Sequence, residues 1–273
     1  MNYVSLVIND LGVATLTMAR PEVHNAFDDT MIAELRAALA SLKENKQARV
    51  RILRGDGRHF SAGADLNWMR SMAQKNLQEN LDDAGELGAL MWELDHHPLP
   101  TIALVQGAAF GGAVGLVACC DSAIDTERAS FCLSETRIGL IPAVISPYVV
   151  RAMGNAASRR YMLTAERFDA ATAARFGLVH EVFDALAQAE ARVTELTNTL
   201  LNNSPAAVTA AKELVQHVSN TALDQSLVTE TAQRIAHIRV SAEGQEGLSA
   251  FLEKRTANWV PAAPYTNEAH DDK

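Results

Sequence analysis

One uncharged stretch constrains the fold of this chain more than any other feature. No Asp, Glu, Lys or Arg occurs between Pro98 and Cys120, and a segment of that length is long enough to cross a bilayer. However, the stretch opens with two prolines, continues as the β-prone run 101–105, and is then interrupted by four glycines. That order is typical of a buried strand, a tight turn and a buried helix in series. We therefore predict a soluble protein without a membrane partner.

Strand and helix patterns alternate on both sides of this stretch. Apolar alternation over 4–18, around a turn at 9–12, predicts a hairpin. Asp28 or Asp29 can cap a following helix, and Asp65 can cap another. The remaining predicted elements are strands at 48–54, 101–106, 121–125 and 129–133 and helices at 111–120 and near 146–153. Repeated strand–turn–helix units indicate an α/β fold.

Beyond about residue 200 the pattern is helical only. Ser204-Pro205 and Ser241 have the features of helix starts. We predict a core over 1–200, a helical C-terminal region over 201–260, and a polar, proline-containing tail over 261–273 that is frayed.

Charge and cysteine content limit the partners and the compartment. The chain has 24 Lys and Arg against 33 Asp and Glu, a net charge of −9, so its overall field does not attract nucleic acid. The three cysteines, Cys119, Cys120 and Cys132, lie in apolar surroundings, and their odd number suggests reduced thiols. No basic and apolar leader follows Met1. These features predict a cytoplasmic protein.

Two segments of small residues place backbone amides at predicted helix starts. They are 61–65 and 107–112. The first amides of a helix lack intrahelical acceptors, so such a turn can bind an anion or a developing oxyanion, and glycine allows a ligand to approach closely. Alternatively, each segment is only a tight turn beside close helix packing.

Several other chemistries are disfavoured by the motifs that the sequence lacks. Neither glycine segment fits G-x-G-x-x-G, and no phosphate-binding G-x-x-x-x-G-K-[ST] or G-x-S-x-G nucleophile motif occurs. No His-Glu-x-x-His or Cys-x-x-Cys spacing occurs either, so no metal site is predicted. We interpret His96-His97 as an exposed helix end.

Glu135 is the candidate acid/base. It follows the apolar strand 129–133 and precedes the mostly apolar run 138–150. A carboxyl group that faces an apolar pocket has a raised pKa and can transfer protons near neutral pH. The alternative is an ion pair with the neighbouring Arg137, or a side chain directed to solvent.

Taken together, these residues resemble the crotonase family, the enoyl-CoA hydratase/isomerase superfamily. The resemblance covers nearly the whole chain, and several motifs occur in the same order. They are Arg20-Pro21 with Asn25-Ala26-Phe27, Phe60 to Leu66, Gln106-Gly107 through Gly111-Gly112, Asp121, Ser134-Glu135 with Ile138 to Pro142, and Ala250 to Arg255. The family implies a ClpP-like crotonase spiral of ββα units with an α-helical C-terminal trimerisation region. It also implies homotrimers, often paired into hexamers, and acyl-CoA thioester substrates.

The resemblance also implies roles for particular residues. The amides of Ala64 and Gly112 match the family's oxyanion hole, and Glu135 matches an acid/base. Ala62, Asp65 and Leu66 match the loop that holds coenzyme A, and Phe251 and Lys254 match C-terminal positions that reach its nucleotide. No cofactor is implied, because the thioester itself acidifies the α carbon and coenzyme A is part of the substrate.

One position departs from the family pattern. Hydratases with two carboxylates carry a second Glu where this chain has Gly115. Moving a double bond needs only one base, whereas hydration is served more simply by two groups. Yet the run 131–147 resembles bacterial methylglutaconyl-CoA or carboxygeranoyl-CoA hydratases, some of which also lack an acid at this position. We predict a hydratase of α,β-unsaturated acyl-CoA; the alternatives are an enoyl-CoA isomerase and a non-catalytic acyl-CoA-binding protein.

Overall fold

A computed structural model describes residues 1–267. Its main sheet has six strands in the order β1-β2-β3-β4-β6-β9. Only the first pair, β1 with β2, is antiparallel; the others are parallel. The strands of this sheet are β1 (Val4–Ile8), β2 (Val13–Met18), β3 (Val50–Gly55), β4 (Thr101–Val105), β6 (Ser122–Thr126) and β9 (Glu181–Phe183). The β1–β2 hairpin is the one that the apolar alternation predicts.

A second, smaller sheet has the order β5-β7-β8. Its strands are β5 (Ala108–Phe110), β7 (Ser130–Cys132) and β8 (Phe168–Asp169). Ala109, Phe131 and Phe168 form one row across it and are at most 5% exposed. Because side chains alternate along a strand, the row that contains Phe110 and Cys132 faces the other way.

Ten α-helices surround the sheets within the described residues. They are α1 (Asp29–Glu44), α2 (Leu66–Met72), α3 (Leu77–Asp95), α4 (Gly112–Ala118), α5 (Ser146–Thr164), α6 (Ala170–Arg175), α7 (Leu186–Leu201), α8 (Pro205–Ser219), α9 (Gln225–Val240) and α10 (Ala242–Glu253). Asp28, not Asp29, caps α1, and its carboxylate accepts from the amide of Met31. Ser204 caps α8 and Ser241 caps α10, as predicted.

Apolar side chains fill both faces of the main sheet. Leu16, Leu53 and Ala103 belong to the larger core, which also contains residues of α1, α3, α4, α5 and α6. On the opposite face, Ile52 and Leu104 pack with residues of α7. Burial on both faces is usual for parallel strands that are joined through helices. The predicted α/β class is confirmed.

The uncharged stretch lies inside this core. All five residues of β4 are buried, as are Ala113 to Ala118 of α4. The predicted glycine turn between them is in part a strand, β5, which pairs with β7 in the second sheet. In the part of the chain that is described, no helix is long and apolar enough to cross a membrane.

The beginning of the predicted tail is anchored. Tyr265 is only 7% exposed, its amide donates to Oδ1 of Asn198 at 2.7 Å, and its carbonyl accepts from Nδ2 of the same side chain at 2.9 Å. The expected fraying therefore does not extend over 261–267, because an aromatic ring buried against α7 holds this segment. The rest of that prediction, 268–273, lies outside the described residues.

Candidate active site

The loops that follow β3 and β4 lie side by side. The amide of Ser61 donates to the Ala108 carbonyl at 2.9 Å, and the amide of Phe110 donates to the Ser61 carbonyl at 3.1 Å. At Gly63, where φ is +89°, a Cβ atom would lie 2.7 Å from the Phe110 carbonyl oxygen. Glycine is therefore required for the two loops to approach this closely. Parallel strands bring the loops after their carboxyl ends to one edge of the sheet, which explains why these segments meet.

Ala64 and Gly112 present backbone amides from these two loops. Phe27 bridges the residues on either side of Ala64, since its amide donates to Gly63 at 2.9 Å and its carbonyl accepts from Asp65 at 3.0 Å. Gly112 is the first residue of α4, where an amide has no intrahelical acceptor. Within residues 1–267, neither the Ala64 nor the Gly112 amide donates a hydrogen bond. Both residues are half-buried, so the two donors are available to a ligand.

Asp65 is fully used in holding its own loop. Its Oδ1 accepts from the amides of Asn67 at 2.8 Å and Trp68 at 3.3 Å, which makes it the predicted cap of α2. Its Oδ2 lies 3.3 Å from a guanidinium nitrogen of Arg20. Burial alone raises the pKa of Asp65, but these amides and the Arg20 charge outweigh it and lower the pKa. Asp65 therefore stays ionised and serves as a positioning group.

Arg20 joins the neighbouring loop to the same network. It donates to the Ala26 carbonyl at 2.8 Å and pairs with Asp28 at 3.1 Å, and its guanidinium lies 4.2 Å from the centre of the Tyr3 ring. Sequence reasoning quoted Arg20 only as part of a motif and assigned it no role. A single Arg among three possible acids gives no sequence signal that identifies its partner.

Ala62 and Leu66 flank the Ala64 amide. The amide of Ala62 donates to the His24 carbonyl at 2.9 Å, which fixes the start of the loop. Leu66 is the first residue of α2 and is 70% exposed. Both predicted substrate-binding residues therefore lie beside the two available amides.

Glu135 lies beside Gly111, the residue before the available Gly112 amide. It opens a 3-10 turn, Glu135–Ile138, directly after β7. A Cβ placed on Gly111 would lie 3.4 Å from Oε1 of Glu135. The other carboxylate oxygen, Oε2, is buried and has no hydrogen-bond partner among the described residues. Burial raises the pKa of Glu135, against a smaller lowering by its own backbone amide.

Glu135 does not form the alternative ion pair with Arg137. Its expected partner Arg137 donates instead to the carbonyl of Ala165, whose left-handed conformation, with φ of 50°, turns the chain after α5. Arg137 is exposed, whereas Glu135 is half-buried. The two neighbouring side chains therefore have separate environments.

Phe251 and Lys254 lie elsewhere in the chain. Phe251 is 81% exposed on α10, and Lys254 ends that helix. A Cβ on Gly247 of α10 would lie 3.0 Å from the Trp259 ring, and the Trp259 carbonyl accepts from Arg49 at 2.7 Å. Arg49 precedes β3, whereas the site loops follow its far end. Among the described residues, no hydrogen bond or ion pair joins Phe251 or Lys254 to the Ala64 loop.

The His96-His97 pair differs from its expected exposed state. His96 stacks on Trp92, with ring centres 3.5 Å apart, but His97 is only 3% exposed. The His97 ring contacts the Leu39 carbonyl at 3.1 Å and accepts from the Leu99 amide at 3.2 Å. Burial, together with the nearby Arg51 charge, lowers its pKa to about 3. His97 is thus a neutral core residue that holds the turn before β4.

Comparisons with known proteins agree with this geometry. Residues 9–261 match the family model described as enoyl-CoA hydratase/isomerase. The chain belongs to the enoyl-CoA hydratase/isomerase family. The resemblance to the enoyl-CoA hydratase/isomerase superfamily is thereby confirmed.

Individual relatives cover almost the whole chain. A crystal structure of an enoyl-CoA hydratase from Shewanella pealeana is 52% identical with a TM-score of 0.91, covering 94% of this chain and 96% of that one. A 2,3-dehydroadipyl-CoA hydratase from Escherichia coli is 32% identical and covers 93% of this chain and 97% of its own. A mitochondrial Delta(3,5)-Delta(2,4)-dienoyl-CoA isomerase from Dictyostelium discoideum is 29% identical over 93% of this chain and 89% of its own.

Proposed function

We propose that this protein adds water across the double bond of an α,β-unsaturated acyl-CoA thioester. The observation that carries the proposal is the position of Glu135 beside the Gly111 backbone, with a buried Oε2 that has no hydrogen-bond partner among the described residues. The next residue, Gly112, offers an available amide, and a second comes from Ala64. A base next to two preorganised donors is the arrangement that enolate chemistry requires.

The two amides are proposed to bind the thioester oxygen. Negative charge develops on that oxygen when a nucleophile adds at the β carbon, and donors that are already oriented stabilise it without reorganisation. Phe27 and Gly63 hold the Ala64 amide in position, and the Gly111 carbonyl accepts from Val114 at the start of α4. Thus the backbone supplies the electrophilic assistance. We propose that no metal or organic cofactor takes part.

Glu135 is proposed to carry out both proton-transfer steps, in which one proton passes from water to the α carbon. Its carboxylate removes a proton from water, the hydroxide oxygen bonds to the β carbon, and the π electrons move to the α carbon and the thioester oxygen. Protonated Glu135 then returns this proton to the α carbon. The net change is the addition of one water molecule, and the carboxylate is regenerated. Its raised pKa favours a group that both accepts and donates a proton near neutral pH.

Ala62, Asp65 and Leu66 are proposed to hold coenzyme A. Ala62 and Leu66 border the loop, and Asp65 keeps the loop in shape through the α2 cap and Arg20. Phe251 and Lys254 form no hydrogen bond or ion pair with this loop within residues 1–267, and we propose that they join the site from another copy of the chain. We therefore propose a homotrimer or a hexamer in which a neighbour's α10 completes the nucleotide site.

The acyl group is proposed to be branched at the β carbon, as in 3-methylglutaconyl-CoA. This proposal rests on the resemblance of 131–147 and not on a contact. Arg137 is the one cationic residue within 131–147, but its guanidinium already donates to the Ala165 carbonyl. A distal carboxylate is therefore left without an assigned partner.

A second function, movement of a double bond within enoyl-CoA, is favoured by one observation. Gly115 supplies no second acid, and isomerisation needs a single base that removes a proton and returns it to another carbon. Glu135 alone is sufficient for that reaction. A non-catalytic acyl-CoA-binding protein is the third candidate, and the buried, unpaired carboxyl oxygen of Glu135 argues against it.

Mass spectrometry of products separates these functions. The purified protein is incubated with methylglutaconyl-CoA, crotonyl-CoA and a 3-enoyl-CoA. A gain of one water on a conjugated ester supports the hydratase. No gain of water, with the 3-enoyl ester shifted in retention at constant mass, supports the isomerase, and unchanged esters that still bind support the non-catalytic protein.

A cytoplasmic location is also proposed. Cys119, Cys120 and Cys132 form no disulfide with one another, and burial raises the pKa of all three thiols. Unpaired thiols of this kind are typical of reducing compartments. Fractionation of the source cells tests this point.

A further inference from the structure

Gly115 lies one helical turn beyond the proposed oxyanion donor. It is on α4, four residues after Gly111 and three after Gly112. Residues separated by three or four positions share a face of a helix. A side chain at 115 would therefore project from the same side of α4 as one at Gly112, whose Cβ would meet the Phe27 ring.

The space that such a side chain needs is already filled. A Cβ on Gly115 would lie 2.7 Å from Cβ of Ile145 and 3.2 Å from Sδ of Met91, and closer still to Cγ2 of Ile145. Ile145 is 2% exposed and Met91 is fully buried. Carbon atoms do not pack at such distances, so even a methyl group at 115 requires a neighbour to move.

Ile145 is not free to move away. It is the residue that precedes α5, and its carbonyl accepts from the amides of Tyr148 at 3.1 Å and Val149 at 3.0 Å. Pro147 lies in the first turn of that helix and fixes its start. The backbone at 145 is thus anchored by a helix that packs on α4. The clash would have to be relieved by a shift of one helix against the other.

We propose that Ile145 closes position 115, where the resemblance places the second carboxylate of two-carboxylate hydratases, to any side chain, so that this enzyme is committed to chemistry with one carboxylate. The inference rests on the proposed function for its catalytic meaning. On this proposal, residue 115 is glycine because Ile145 leaves no room for a larger residue. The wall that Ile145 and Met91 form at this position is apolar, and it offers neither a proton nor a hydrogen bond to a reacting water molecule.

A graded series at 145 tests the closure without any assay of activity. The thermal midpoint of unfolding is measured for G115A in the wild-type, I145V, I145A and I145G backgrounds. Valine keeps Cγ2, alanine removes it but keeps Cβ, and glycine removes both contacting atoms. We expect G115A to lower the midpoint by roughly 3–10 °C in the wild-type and I145V backgrounds, less in I145A, and to leave it unchanged or raise it in I145G.

Gly85 provides the matched control. It lies on α3, and nothing is within 4 Å of a Cβ placed there. G85A should therefore be neutral or slightly stabilising in every background, because Ala is the better helix former. If G115A behaves like G85A in the wild-type background, Ile145 does not close the position and the inference is wrong.

The catalytic half of the inference is tested with a carboxylate at 115. We expect I145G/G115E to hydrate a conjugated ester at least about tenfold faster than I145G, because the opened space admits a second acid/base. G85E combined with I145G is the control and should leave the I145G rate unchanged. Equal rates for I145G and I145G/G115E would overturn the catalytic claim. Absence of hydration by the wild-type protein overturns the proposed function instead, and the stability series still decides the closure.

Discussion

Oε1 of Glu135 lies 3.4 Å from the point where a Cβ of Gly111 would be. Gly111 adopts a φ of 54°, a left-handed conformation in which a side chain is both strained and, here, directed at the carboxylate. The same glycine precedes the available amide of Gly112. One backbone turn therefore positions a donor and leaves room for a base.

The first prediction concerns the acid/base. E135Q keeps the shape of the side chain but cannot accept a proton, so turnover should fall by about 10²–10⁴-fold. Binding of the acyl-CoA should change little, because the amide donors of Ala64 and Gly112 remain. Steady-state kinetics and equilibrium binding of the ester measure the two effects separately.

Glu127 provides a matched control for this substitution. It is an exposed glutamate in the turn between β6 and β7, one strand before Glu135, and E127Q should leave kcat unchanged. An E135Q protein with wild-type turnover would remove Glu135 from the mechanism.

The second prediction concerns pH. Burial raises the pKa of Glu135 above the 4.5 of an unperturbed glutamate, and a base must be ionised in the free enzyme. We expect kcat/KM to rise with pH along an acid limb whose midpoint lies above that value. A profile without such a limb would contradict the assignment.

The raised pKa of Glu135 also affects the stability of the folded protein. The folded state binds the Glu135 proton more tightly than the unfolded state does, so the stabilising contribution is present at low pH and lost as pH rises through the folded pKa. E135Q should therefore be more stable than the wild type at neutral pH, by an amount that shrinks in acid. Thermal unfolding at several pH values measures this difference.

Local signals explain which parts of this fold were predictable. Asp65 and Ser204 were identified as helix caps because a cap depends only on the next three residues. The state of His97 was not, since its burial depends on Leu39, which lies far away in sequence and contacts it only after α1 packs on the sheet. Strand β5 was missed for the same reason, because three residues among glycines become a strand only when β7 pairs with them.

The candidate site divides in the same way. Glu135 was predictable from its place between an apolar strand and an apolar run, and the resemblance supplied the two amides. The closed space at Gly115 was not predictable, because nothing in the sequence places Ile145 against α4. The sequence shows only that residue 115 is not an acid. The structure supplies the physical reason, which is that Ile145 fills the space beside Gly115.

The third prediction concerns the coenzyme A loop. D65A removes the cap of α2 and the partner of Arg20, and should cost about 0.5–2 kcal/mol of stability. It should also raise KM for the acyl-CoA at least roughly threefold, because the loop that carries Ala62 and Ala64 loses its anchor. D169A removes a similar cap, which accepts from Thr172 at the start of α6. We expect D169A to lower stability but not to change KM, and an equal change in KM for both variants would contradict the role of Asp65.

The fourth prediction concerns a buried acid outside the site. Asp125 is fully buried, accepts from the Thr126 amide at 2.6 Å, and has an Oδ2 without a partner in the described part of the chain. Burial raises its pKa to about 8.

Ionisation of Asp125 therefore lowers the stability of the fold as pH rises. Because the folded pKa exceeds the unfolded one, the contribution of Asp125 is full below about pH 4 and is lost as pH rises to about 8. D125N should therefore be less sensitive to pH than the wild type, and the difference in thermal midpoint between them should change from about pH 4 to about pH 8 and level off above that. Parallel curves for the two proteins would show that Asp125 is not the titrating group.

The fifth prediction concerns the proposed assembly. If Lys254 acts on the site of a neighbouring copy, E135Q and K254A damage different halves of a shared site. Mixing the two variants under conditions that exchange subunits should then create sites that contain Glu135 from one chain and Lys254 from another. At substrate concentrations below the KM of K254A, the mixture should turn over faster than the sum of the separate proteins. Mixing K254A with the double variant E135Q/K254A supplies no intact Lys254 and should give no gain. A mixture that only equals the sum, despite exchange shown by mass spectrometry, would mean that Lys254 does not contribute across the interface.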